Sequence, residues 1–450
     1  MPHQTIGKRG AAAVPYRLTV LGTGYLGATH AACMAELGFD VLALDVDERK
    51  IERLRRGDLP IHEPGLEELL KRNLAAGRLR FTTSYEEVAR FGDVHFICVG
   101  TPQRSDGYAA DTSYLDAVVD SLAPLLDREC LVVGKSTVPV GTAERIAEKL
   151  VRLAPAGVQV ELAWNPEFLR EGHAVQDTLR PDRIVLGVAS ERAEKILREV
   201  YAPLGDVPIV VTDYATAELV KSAANAFLAT KISFINAMAE VCEAAGADVT
   251  QLARALSYDE RIGGRYLNPG VGFGGGCLPK DIRAFMARAT ELGADRAVAF
   301  LQEVDAINQR RRTRVVELAR ELAGGTFEGR RAAVLGAAFK PHSDDIRDSP
   351  ALDVAVRIAR LGGTVTVYDP VALDNARAAY PDLEYAESAL EAARGADVVL
   401  LLTEWPEFAA LEPDELSTVV RERNIVDGRL VLDAEAWRSA GWTYRALGRP

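Results

Sequence analysis

A chain of 450 residues with 48% apolar and 26% charged side chains is too long for one hydrophobic core and too apolar to be disordered, so two or three folded domains are expected. Its formal net charge of -12 argues against a nucleic-acid surface, although a local basic pocket could still hold a phosphate. Five widely spaced cysteines without a CxxC pair argue against a disulfide framework or a metal site and fit a reducing cytoplasm, and no apolar run approaches the roughly 20 residues of a membrane helix.

Residues 1–16 read as a flexible tail, because the apolar patch Ala11–Val14 is too short for a signal-peptide core. From Arg17 short β-rich runs alternate with helical stretches. Arg17–Leu21 reads as a buried strand, Tyr25–Leu37 as an Ala-rich helix, and Val41–Asp45 as the second strand. Val94–Val99, Leu131–Lys135 and Ile184–Gly187 follow as further strands, which predicts a parallel, doubly wound α/β domain over residues 17–211. From 212 to 324 strand signals vanish and helical periodicity dominates, broken by the glycine-rich loop Gly263–Gly276. Residues 296–323 read as one long helix, with Arg310, Arg311 and Arg312 on a solvated face. A second Rossmann-like unit, 325–450, starts with a strand-to-turn at Ala332–Gly336, continues with Thr364–Tyr368 ending at Asp369, and adds Asp397–Leu402. It lacks GxGxxG and is not expected to hold a dinucleotide as the first unit does.

Gly22-Thr23-Gly24-Tyr25-Leu26-Gly27 is a GxGxxG directly after a strand and opening a helix. Gly22 permits the tight turn, Gly24 lets the backbone approach a pyrophosphate, and Gly27 lets helix and strand pack closely. Asp45 ends the second strand, where an acid binds a ribose 2′-OH and repels a 2′-phosphate, so NAD is expected over NADP. Lys50 lies close by in sequence and leaves room for some NADP tolerance.

The run Gly272-Phe273-Gly274-Gly275-Gly276-Cys277-Leu278-Pro279-Lys280-Asp281 carries the second signal. Three glycines give a backbone that can wrap a ligand, and Pro279 suits a first helical turn. Cys277 then falls at a helix N-terminus, where the dipole favours the thiolate, and Asp281 lies one turn on. Cys33, Cys98, Cys130 and Cys242 have no such setting and read as small buried hydrophobes. Lys221 and Asn225, four apart, share a helical face; alone they would be a solvated lysine and a helical asparagine.

These residues, with Cys98–Pro102 (CVGTP), Lys135–Thr142 (KSTVPVGT), Asn165–Gly172 (NPEFLREG), Ala217–Asn236, Gly336–Pro350 and Asp427–Arg429 (DGR), make the chain from about 17 to 445 resemble the UDP-glucose 6-dehydrogenases, within the wider UDP-glucose/GDP-mannose dehydrogenase family. The resemblance implies a four-electron oxidation of UDP-glucose to UDP-glucuronate with two NAD per turnover. The alcohol at C6 becomes an aldehyde, Cys277 adds to give a thiohemiacetal, a second hydride loss leaves a thioester, and water releases the acid. It implies that Lys221 and Asn225 donate to the developing oxyanion, that Asp281 works with Lys221 and positions water, that Glu167 is an acid/base group, and that Thr137 holds the water. Thr101, Ser136, Glu171 and Arg347 are implied around NAD. Phe168, Leu169, Tyr266, Asn268, Phe273, Gly274, Phe339, Lys340 and Arg429 are implied around the nucleotide sugar, the last two cations suiting a diphosphate. Arg261 matches an arginine donated across a subunit interface, so a homodimer is the minimum expected. Gly276 stands where many relatives have serine, and Leu278 where aromatics are common. Rival readings are the same chemistry on dTDP-glucose or GDP-mannose, a two-electron dehydrogenase that needs no nucleophilic cysteine, and a non-enzymatic NAD sensor. The loop around Cys277 argues against N-acetylated sugars, and the intact set of Lys221, Asn225, Cys277 and Asp281 argues against the sensor. The site is expected between the domains.

Overall fold

The computed structural model describes residues 16–449, so the expected tail lies outside the described residues except for Tyr16, whose hydroxyl donates to Glu199. Eight strands form the first sheet: β1 (Arg17–Leu21), β2 (Asp40–Leu44), β3 (Leu79–Thr82), β4 (Val94–Ile97), β5 (Cys130–Gly134), β6 (Val160–Trp164), β7 (Ile184–Val188) and β8 (Ile209–Thr212). Their order is β3-β2-β1-β4-β5-β6-β7-β8, parallel throughout except where β7 pairs antiparallel with β6. The central strands are mostly apolar and, apart from Arg17, buried along their length, as expected of parallel strands covered on both faces. The order reverses between β1 and β4, the position where doubly wound sheets bind ligands at their carboxyl ends.

The second sheet holds β9 (Arg331–Leu335), β10 (Thr364–Tyr368), β11 (Glu384–Tyr385), β12 (Val398–Leu401), β13 (Asn424–Asp427) and β14 (Thr443–Ala446), all parallel, in the order β11-β10-β9-β12-β13-β14. Between the sheets in sequence come the helices Tyr214–Ala245, Val249–Ser257, Leu278–Glu291 and Phe300–Leu322. The last of these is shorter than the 296–323 expected, because Asp295–Val298 forms a separate 3-10 turn. The chain divides into two compact units, with the main break at Lys221/Ser222 within the Tyr214–Ala245 helix; the second unit groups residues 222–450, and with them 106–109, so that these helices go with the second sheet. Among the described residues no helix is long and apolar enough to cross a membrane.

The arginine triplet departs from expectation. Only Arg310 lies on a half-exposed face; Arg311 and Arg312 are 1% and 2% exposed. Arg311 pairs with Glu243 at 3.1 Å, and Glu243 also accepts the Gly448 N–H and the Arg314 guanidinium. Arg312 pairs with Asp348 at 2.7 Å. A buried charge persists only where a partner meets it, and these partners come from segments distant in sequence.

Candidate active site

The first unit builds a dinucleotide cradle. Gly22 adopts φ +93°, and a Cβ there would lie 2.9 Å from the Val99 side chain. A Cβ on Gly27 would lie 1.8 Å from the Gly22 carbonyl, whereas Gly24, which caps the Tyr25–Glu36 helix, faces open space. The turn therefore has close contact where helix and strand meet and room where a pyrophosphate would approach the helix N-terminus, which is the fit that NAD requires. The loops after β4 and β5 are tied together beside it: Thr101 Oγ1 donates to the Thr137 carbonyl and Ser136 Oγ to the Val99 carbonyl, both at 2.6 Å.

Asp45 is nearly buried at the end of this cradle. Its Oδ2 accepts from Thr23 N–H and Thr23 Oγ1, both at 2.9 Å, and from Lys50 Nζ at 3.0 Å. Burial pushes the carboxyl's pKa up, but hydrogen bonds from Thr23, Lys50 and Asp47 outweigh that and hold it below the usual range. Lys50 is thus engaged by Asp45. Asp45→Ala is expected to raise KM for NAD by about 10-fold and to shrink the preference over NADP, from the loss of a charged hydrogen-bond acceptor. Steady-state KM values for both dinucleotides check it.

The same unit carries an acid–base pair. Lys221 Nζ lies 3.1 Å from Glu167 Oε1, and the two side chains are only 5% and 12% exposed. Glu167 Oε2 accepts the Leu169 N–H at 2.6 Å, which fixes the carboxylate on its own loop. Phe168 lies between two cations, with Arg183 3.6 Å and Lys221 5.5 Å from its ring centroid. Tyr25 and the Gly172 N–H both donate to the buried Glu63, so the glycine turn and the Glu167–Glu171 loop share one anchor. Lys135 adds a second buried ammonium to this unit. It is buried, donates to Asn165 Oδ1 at 2.9 Å, and burial, with Lys221 nearby, holds its pKa below the ordinary lysine value.

In the second unit Cys277 caps the Leu278–Glu291 helix, with Pro279 in its first turn. It is the exposed cysteine; the other four are buried, and burial pushes the Cys33, Cys98 and Cys130 thiols up to about 12. Asp281 closes the first turn of that helix through its N–H to the Cys277 carbonyl at 2.8 Å, and its carboxylate is buried. There it accepts from Asn225 Nδ2 at 2.6 Å and from Lys280 Nζ. The Tyr214–Ala245 helix carries Lys221 and Asn225 one turn apart.

The glycines before Cys277 are each pressed by a neighbour. A Cβ on Gly275 would lie 2.7 Å from the Phe339 ring, and one on Gly276 would lie 2.2 Å from the Arg347 guanidinium carbon. Serine at 276 would displace that arginine. The implied sugar ligands fall in three settings. Phe273 has its ring in an apolar cluster with Ala226, Ile282 and Leu301, and its backbone paired with Asn308. Arg429 donates to the Leu402, Gly272 and Phe339 carbonyls and lies 3.0 Å from Glu404, so it braces the loop as well as supplying charge. Lys340 Nζ stands 5.3 Å over the Phe339 ring; Tyr266 is half-buried at φ +64°, Asn268 is exposed, and Arg261 is exposed and paired with Asp259.

The second sheet's counterpart of the dinucleotide turn is already filled. Asp369, at the end of β10, accepts the Ala337 and Ala338 N–H groups that follow β9, and Trp405 Nε1 as well. Those N–H groups are the donors a pyrophosphate would need.

A glycine turn at the strand switch point, closed by an acid at the end of the second strand, defines a dinucleotide-binding domain of the kind NAD-dependent oxidoreductases use. Residues 16–205, 215–310 and 333–434 match the NAD binding, central and UDP binding domains of the UDP-glucose/GDP-mannose dehydrogenase family, and the chain belongs to that family. It is 42% identical over 438 residues to UDP-glucose 6-dehydrogenase of Rhizobium meliloti, covering 96% of this chain and all of the relative. Among solved structures, a UDP-glucose dehydrogenase from the archaeon Pyrobaculum islandicum superposes with a TM-score of 0.90 at 39% identity, over 99% of this chain and 100% of that one. A UDP-D-ManNAc dehydrogenase from Pyrococcus horikoshii gives 0.84 at 30%, over 96% and 99%.

Proposed function

We propose that this chain oxidises C6 of UDP-glucose to a carboxylate, through a covalent bond to Cys277. The observation that carries the reading is the thiol itself: one exposed cysteine at a helix N-cap after a glycine run, beside four buried ones. The first unit's cradle would hold NAD, which would supply the hydride acceptor, two molecules in succession for each sugar oxidised. Glu167 takes the hydroxyl proton of the alcohol, directly or through Lys221, as the aldehyde forms. The Cys277 thiolate then adds to the aldehyde carbon, and the carbonyl electron pair becomes an oxyanion. Lys221 and Asn225 stabilise that oxyanion, the first by charge and the second by its amide. Loss of the second hydride restores the C=O bond as a thioester. Water held by Thr137 and Asp281 adds to it, the C–S bond breaks, and Cys277 leaves as thiolate with UDP-glucuronate as product. Asp281 also orients Asn225, whose Nδ2 donates to it.

The 42% identity to a UDP-glucose 6-dehydrogenase favours uridine and glucose over the thymidine and guanosine alternatives. The test is NADH formed per sugar consumed, with UDP-glucose, dTDP-glucose and GDP-mannose offered separately. Two NADH per UDP-glucose is expected. Two with another nucleotide sugar moves the substrate, and one with free aldehyde returns the two-electron reading.

The working form is a homodimer or larger, in the cytoplasm, where five free thiols suit a reducing medium. Phe227, Phe234 and Val241 recur every seven residues on the Tyr214–Ala245 helix and are 65%, 49% and 57% exposed, a stripe that a second copy would cover. Arg261 reaches across that interface. Phe234→Glu is expected to lower the mass seen by light scattering to that of a monomer; an unchanged mass removes this face from the interface.

A further inference from the structure

The Phe300–Leu322 helix turns two polar heads inward, one turn apart. Asn308 and Arg312 are 0% and 2% exposed. Asn308 engages one residue of the cysteine loop with its whole amide: Oδ1 accepts the Phe273 N–H at 2.8 Å, and Nδ2 donates to the Phe273 carbonyl at 2.9 Å. A neighbouring strand would make the same two bonds. Arg312 Nη2 donates to that carbonyl at 3.1 Å and to the Asp348 carbonyl at 3.3 Å, while Nη1 donates to Asp348 Oδ1 at 2.7 Å. On the far side of the loop, the Gly275 N–H donates to the Arg347 carbonyl at 2.8 Å.

The fit is close. A Cβ on Gly272 would lie 2.2 Å from Asn308 Oδ1, and one on Gly274 would lie 2.3 Å from the Asp348 carbonyl. Asp348 itself holds φ +46°, a left-handed conformation disfavoured for a non-glycine residue, and it is the residue that Arg312 grips. A run of glycines has no side chains by which packing could set its register, and it loses the most chain entropy on ordering. Its position has to be imposed through the backbone, and Asn308 and Arg312 are placed to do that.

We propose that Asn308 and Arg312 are positioning residues for the Cys277 thiol: they lock Phe273–Gly276 onto the Arg347–Asp348 segment, so that Cys277 and the Arg347 guanidinium keep one register. The inference rests on reading Cys277 as the nucleophile. It predicts a defect that includes the thiol's half of the reaction. A displacement of about 1 Å is enough to slow a covalent step by about 10²-fold.

The experiment uses the full-length protein with Asn308→Ser and Arg312→Lys, and Cys277→Ala alongside. Thermal melting, KM for NAD and UDP-glucose, NADH per sugar, trapped aldehyde, and the pH profile of Cys277 alkylation by iodoacetamide are measured. Both variants are expected to melt cooperatively. They should lose about 10²-fold in kcat, release aldehyde, fall below two NADH per sugar, and shift the alkylation midpoint. If Asn308→Ser does not fold, Arg312→Lys, which keeps the charge but cannot span both acceptors, decides the matter. Folded variants with two NADH per sugar, no aldehyde and an unmoved alkylation profile overturn the proposal, whether or not kcat falls. Full activity in Cys277→Ala would instead overturn the reading of the thiol.

Discussion

Cys277→Ala is expected to abolish steady-state production of the acid, with kcat falling on the order of 10³-fold or more, equivalent to about 4 kcal/mol of barrier. The first hydride transfer requires no thiol, so a single turnover should still yield one NADH and an aldehyde that a carbonyl reagent traps. The second transfer then has no thiohemiacetal to draw from. Its place at a helix N-cap, where the dipole favours a thiolate, and its exposure set this cysteine apart from its four buried counterparts. Cys98→Ala serves as the control: that thiol is buried, its pKa raised to about 12 by desolvation, and its loss should leave stoichiometry at two. Two NADH per sugar from Cys277→Ala would remove the covalent route altogether.

What the sequence revealed depended on how far apart the interacting residues lie. The dinucleotide cradle was legible because Gly22, Gly24 and Gly27 act within one turn and Asp45 closes the adjacent strand. The N-cap position of Cys277 was legible for the same reason, with glycine, cysteine and proline in one short run. Asn308 and Arg312 were not legible, since their partners are 35 and 36 residues away and their own neighbours on the helix are unremarkable. Reading three consecutive arginines as a solvated face failed because the partner of Arg311 is 68 residues distant. Strands β3, β6, β8, β11, β13 and β14 escaped notice; β3 and β14 each put an arginine on an exposed face at a sheet edge, which breaks the apolar run. Asp369 ends its strand as Asp45 does in the first unit, in a half that lacks GxGxxG. Only its hydrogen bonds show that it occupies the turn it might have served.

Lys221→Met should separate charge stabilisation from covalent chemistry. A methionine keeps the length of the side chain and removes the ammonium, so the oxyanion loses its charged donor; kcat is expected to fall about 10²- to 10³-fold, with KM for UDP-glucose changed far less. Because the thiol remains, aldehyde should stay bound and the product ratio should stay at two NADH per sugar, unlike in Cys277→Ala. Lys221→Arg should not restore the rate, since a planar guanidinium cannot take the place of a compact ammonium packed near the Phe168 ring. The double variant with Asn225→Ala gives the sharper reading. If both side chains serve one oxyanion, the second loss is smaller than Asn225→Ala alone, because the state it would stabilise is already poorly formed. Strict additivity would place Asn225 elsewhere, as a partner of Asp281 only. A Lys221→Met enzyme within threefold of the parent kcat would leave the oxyanion without the donor assigned to it.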